Sequence, residues 1–126
     1  MTRIITSEDC GNSPKNTFVA NLSIALALGD SAFVLDSVSG DIRWHRIGTQ
    51  PHQGKDALAL ALAQVASEPP EELTILHAVT HGRAGAVNGT FILRNGDKRA
   101  FCHIFELNGA KGTSVKEITS YLVDTA

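Results

Sequence analysis

The sequence predicts an α+β domain, and three observations carry that prediction. The first half alternates helix-period apolar runs with helix caps. The second half is a series of apolar and β-branched runs separated by glycine turns. The run Arg99-Ala-Phe-Cys-His-Ile-Phe-Glu-Leu107 is apolar on both faces when read at a strand's two-residue period. Helices followed by an antiparallel meander describe an α+β arrangement. At 126 residues, 43% of them hydrophobic and 19% charged, the chain is long enough to bury one core.

The elements follow in order. Residues 1–12, polar and ending in Cys10-Gly-Asn12, read as a loose, flexible N-terminal arm, leaving 13–126 as the single domain. Ser13-Pro14 opens a helix, with Ser13 as N-cap and Pro14 in the first turn. Phe18, Leu22, Ala25 and Leu26 give it a helical stripe through Leu28, and Gly29 ends it. Asp30 caps a shorter helix from Ser31 to about Ser37. Asp41 to Ile47 is the first strand and Gly48 to Gly54 a loop. Lys55 to Ser67 forms a third helix, which Pro69-Pro70 closes. Strands follow over Leu73–His81, Ala84–Arg94, Arg99–Leu107 and Ser114–Val123. Gly82-Arg83, Asn95-Gly96-Asp97 and a turn from Asn108 to Gly112 join them. A twisted sheet with a long helix laid across it leaves a hollow, a common place for a small-molecule site.

Composition excludes several functions. The net charge is −2 with no basic stripe, which argues against nucleic acid as a partner. No apolar run approaches the roughly 20 residues that span a bilayer. The start, Met1 to Asp9, lacks an apolar signal core, so a cytoplasmic protein is expected. Cys10 and Cys102 have no metal or redox spacing and are expected to be free thiols. No motif for a metal, nucleotide or flavin is present, so no cofactor is expected.

Chemistry centres on the both-faced strand. Phe101, His103, Phe105 and Leu107 share one face, and a polar ring in an aromatic row needs a partner or a ligand. His103 can serve as general acid, general base or hydrogen-bond donor to an oxyanion; the plainer alternative is a core histidine bonded to a neighbour. On the first strand, hydrophobic patterning turns Ile42, Trp44 and Arg46 inward, whereas the opposite register turns His45 inward. An inward Arg46 would favour an anionic substrate or stabilise an enolate. His77 is placed to converge with His103, and Asn88 and Thr90 to add polar contacts inside the hollow. His77 and His81 lie roughly 13 Å apart along a strand, too far to share one metal. For Ser120 and Tyr121, core or interface packing is the stronger reading.

Order and spacing of several short motifs add a resemblance. Ala27-Leu-Gly-Asp30, Asp41-Ile-Arg-Trp44 and Gly54-Lys-Asp-Ala57 resemble the nuclear-transport-factor-2-like superfamily. So does Phe105-Glu-Leu-Asn-Gly109 followed by Val115-Lys-Glu-Ile-Thr-Ser-Tyr121. The similarity spans residues 14–124 and is closest to the SnoaL-like and ketosteroid-isomerase-like branch. It implies a cone-shaped, strongly curved, mostly antiparallel sheet wrapped around the N-terminal helix, a cystatin-like α+β roll. It also implies a homodimer through the exposed sheet face, where apolar residues lack a helix to cover them.

The isomerases' active positions do not carry over intact. Leu22 stands where they have a tyrosine on the first helix, and His103 where they have an acidic oxyanion donor. Their catalytic aspartate falls on His45 without gaps, or on Arg46 if Trp44 matches the family's strand tryptophan. The expected site therefore has His103 with His45 or Arg46 as catalytic candidates. Trp44, Leu22, Phe101, Phe105, His77 and Asn88 are the substrate-binding candidates, with no metal ligand. Two functions remain open: a SnoaL-like isomerase, cyclase or dehydratase acting on a small apolar molecule, or a non-catalytic ligand-binding or dimeric interaction module. In either, His103 is expected to face a cavity between helix and sheet, neutral through desolvation.

Overall fold

The structure is a computed structural model describing residues 1–8, 13–109 and 114–125. Cys10 and part of the turn expected over Asn108–Gly112 lie outside the described residues. Helix α1 spans Pro14–Leu28. Ser13 Oγ accepts from the Asn16 N–H at 3.1 Å, and Gly29 takes the left-handed φ of 70° that ends the helix. A side chain on Gly29 would also meet the Ala66 backbone nitrogen at 2.4 Å, so this glycine lets α1 approach α3 (Gly54–Ser67) closely. Between them α2, Ser31–Asp36, starts on the Asp30 cap, whose carboxylate accepts from the Phe33 N–H at 3.2 Å.

The sheet has seven strands: β1 (Arg3–Thr6), β2 (Val38–Arg46), β3 (His52–Gln53), β4 (Glu72–His81), β5 (Ala84–Ile92), β6 (Lys98–Leu107) and β7 (Val115–Thr125). Their spatial order is β1-β4-β5-β6-β7-β2-β3. The meander β4 to β7 is antiparallel, as the turn signals require, while β1 on β4 and β2 on β7 are parallel. Two elements correct the sequence reading. Residues 3–6 of the expected arm form an edge strand on β4, and the loop before α3 contains the two-residue β3, paired to Arg43 and Trp44. Neither has a periodic apolar signal: both strands are too short for one, and polar side chains help hold them, Arg3 to Glu72 for β1 and Gln53 to the Asp41 carbonyl for β3.

Bends in the sheet make the hollow. The β4–β5 register slips between Ile75 and His77, and Gly89 stands opposite that slip. A Cβ at Gly89 would lie 2.0 Å from the Thr74 carbonyl oxygen and 2.9 Å from the Phe101 ring. The missing side chain thus lets β5 bend around Phe101. Helices α1 and α3 cover the inner face, and the core joins Val19, Leu22, Leu58, Leu62, Ile42, Ile75, Val87, Phe105 and Ile118, each fully buried. The outer face keeps Leu76, Val79, Ile104, Tyr121 and Val123 exposed.

Candidate functional site

The site begins with one rung of the sheet. Register places Arg46 of β2, Ser120 of β7, His103 of β6 and Val87 of β5 side by side. Trp44, two residues before Arg46, shares its face and is 3% exposed. These side chains border a cavity of about 540 Å³, closed on the helix side by Leu26, Ala27 and Val65. Phe91, Phe101 and Leu122 supply apolar wall, and Thr49, Gln64, Glu68 and Arg99 also border it.

Ser120 links the wall. The Trp44 indole Nε1–H donates to Ser120 Oγ at 2.9 Å, and His103 Nδ1 lies 2.6 Å from the same oxygen. The indole is only a donor, so Oγ accepts from it. Oγ has a second lone pair, but among the described residues nothing else accepts the hydroxyl's one hydrogen, so it is satisfied by donating to His103 Nδ1. This arrangement assigns His103 the neutral tautomer with hydrogen on Nε2. The ring is 8% exposed, and burial holds its pKa down at about 4, so it is uncharged at neutral pH. Phe101 and Phe105 flank it with ring centroids 5.0 and 5.8 Å away. Among the described residues nothing bonds Nε2, which leaves it as the polar group His103 offers to the cavity.

Arg46 forms the second polar point. Its guanidinium carbon sits 4.8 Å from the Trp44 ring centroid, and Nη2 donates to His52 Nε2 at 3.0 Å. Burial, and then the Arg46 charge, lower the His52 pKa and keep that ring a neutral acceptor. Nε of Arg46 is occluded with no bonding partner. Arg99 differs. Its Nε lies 2.7 Å from an Asp124 carboxylate oxygen, an ion pair too skewed to count as a hydrogen bond.

The sequence-derived candidates divide. His103, Trp44, Arg46 and Phe101 meet at the cavity. His45 turns to the outer face beside Thr119, because Ile42 and Trp44 claim the buried side of β2. His77 and Asn88 also belong to the outer face, where His77 Nδ1–H donates to the Asn88 amide oxygen at 2.8 Å. They border a shallow depression of about 430 Å³ with Cys102 and Tyr121, so their expected place inside the hollow is wrong. The register slip after Ile75 carries His77 outward. Leu22 and Phe105 are fully buried in the core, and Leu26 and Ala27 line the helix side in place of Leu22. The imidazole faces the cavity and is also bonded to a neighbour, Ser120. That residue's inward place was signalled only by its two-residue spacing from Ile118.

Among the described residues no group of three His, Cys, Asp or Glu side chains could hold a metal ion, and no helix is long and apolar enough to cross a membrane. No family model and no curated protein matches the chain. Solved structures do. A SnoaL-like-family protein from Agrobacterium tumefaciens superposes with a TM-score of 0.69 at 14% identity, covering 88% of this chain and 99% of its own. An NTF2-like protein of unknown function from Cytophaga hutchinsonii gives 0.63 at 21% identity, covering 85% and 97%. An LEH-like epoxide hydrolase from M. tuberculosis gives 0.68 at 18% identity, covering 85% and 80%. With its bent seven-stranded sheet closed over α1 and α3, the chain has the NTF2-like fold.

Proposed function

We propose that this protein binds a small, mostly apolar organic molecule in the hollow and holds one of its oxygen atoms with His103. The observation that carries the reading is the Trp44–Ser120–His103 chain of hydrogen bonds, which leaves a neutral imidazole with Nε2–H as its free donor. A neutral donor in an apolar wall can polarise a carbonyl, or stabilise an oxyanion forming on it, without carrying a charge of its own. That fits an isomerisation, cyclisation or dehydration of the SnoaL-like type, with imidazole in the place where ketosteroid isomerases keep an acidic donor. A second reading is a binding module without turnover. It is favoured by one fact: Glu68 is the single carboxylate bordering the hollow among the described residues, and it is exposed.

The proposal includes a cytoplasmic homodimer formed through the outer sheet face. Val79, Ile104, Tyr121 and Val123 are exposed there, and the helices cover only the other face. Native mass spectrometry of untagged protein tests both parts. The expected species is a dimer carrying a small molecule that is lost in His103→Phe. A bare monomer, or a molecule retained equally by the variant, would refute the proposal.

A further inference from the structure

Charge around the hollow is unbalanced at one place. Asp124 neutralises Arg99 at the rim, but no carboxylate among the described residues pairs with Arg46. The guanidinium is nonetheless fixed, stacked on Trp44 and tied through Nη2 to His52. Its partner there is a neutral ring, which satisfies one N–H and leaves the charge uncompensated. Nη1 makes no bond among the described residues and Nη2 keeps a second hydrogen, so donors remain for a carboxylate to accept from. The half-buried guanidinium has no counter-ion from the described residues, and an anionic occupant would supply one.

Position matters as much as charge. Arg46 and His103 flank Ser120 on one rung, so their backbones stand two strand spacings apart, roughly 10 Å. One molecule of a few tens of atoms can therefore touch both. Phe101, Leu122 and Val65 border the same cavity and would contact an apolar body. Resting on the reading that this hollow binds a small organic molecule, we infer that its occupant is an oxo-carboxylate: a carboxylate on Arg46, a carbonyl oxygen on His103 Nε2–H, and an apolar segment along Phe101.

The chain's single tryptophan makes the test direct, because the Trp44 indole N–H gives one resolved signal beside the cavity. Small aryl and alicyclic oxo-acids, each paired with its methyl ester, are titrated into ¹⁵N-labelled full-length protein. Acids are expected to shift the indole signal and bind about tenfold or more tightly than their esters at low salt. In Arg46→Gln the acids should fall to the esters' affinity while the esters bind as before, and Arg46→Lys should recover part of the preference. His103→Phe should weaken acids and esters alike. Equal binding of acids and esters, or an acid preference that survives Arg46→Gln, would overturn the oxo-carboxylate assignment and leave the binding site standing. A panel in which neither acids nor esters move the indole signal would overturn the binding site itself and this assignment with it.

Discussion

Acidification should destabilise this protein through His103 in particular. The imidazole's pKa falls from 6.5 to about 4 because burial penalises its charged form. Its Ser120 bond also uses Nδ1 as an acceptor, which a protonated ring cannot offer. The unfolded chain, with a pKa near 6.5, binds the proton more readily than the folded one between pH 6.5 and 4. Stability therefore rises with pH in that window and is lost as pH falls through it. From the two pKa values the loss is about 2 kcal/mol at pH 5 and about 3 kcal/mol at pH 4, relative to neutral pH, and levels off below that. Arg46, Arg99 and Glu68 border the same cavity. The two cations are on the side of neutral imidazole, and exposed Glu68 opposes them only through solvent. Urea unfolding at pH 7, 5 and 4, compared between the natural protein and His103→Phe, isolates the contribution, since every other titrating group is shared. The natural protein should lose about 3 kcal/mol more than the variant between pH 7 and pH 4. Equal losses, or an imidazole midpoint near 6.5 by NMR, would refute the assigned tautomer and its burial.

Two further substitutions probe the wall and the bend. Ser120→Ala leaves the Trp44 indole and His103 Nδ1 without partners and should cost about 2–4 kcal/mol. In a Trp44→Phe background the same change should cost about 1–2 kcal/mol less, and an identical loss in both backgrounds in urea unfolding would break the proposed linkage. Gly89→Ala should cost about 3 kcal/mol, since its Cβ would meet a backbone carbonyl at 2.0 Å. Gly40→Ala, with open space around it, is the control and should change the thermal midpoint little.

Local signals were readable wherever one short segment contains the whole cause. Ser13, Gly29 and Asp30 set helix ends by bonds within four residues, and the alternation of β6 assigned Phe101, His103 and Phe105 to the inner face. Patterning also favoured Trp44 and Arg46 over His45, because an indole and Ile42 need cover. What the sequence withheld depends on pairing between distant strands. His77 left the hollow through one extra residue in β4, which no alternation pattern around it discloses. Ser120 became central only because parallel β2 and antiparallel β6 both pair with β7. Strand β1 owes its place to an edge that β4 leaves open.

The parallel pairing of β2 with β7 also fixes when a site can exist during folding. The Trp44–Ser120 bond joins residues 76 positions apart. Helices α1 and α3 and the β4–β5 hairpin can form from local contacts as the chain leaves the ribosome. The wall carrying Arg46 cannot meet His103 until the last strand arrives between them and closes a long loop. Docking of β7 therefore completes the cavity, and variants weakened in that strand are expected to lose ligand binding before they lose the far-ultraviolet helical signal.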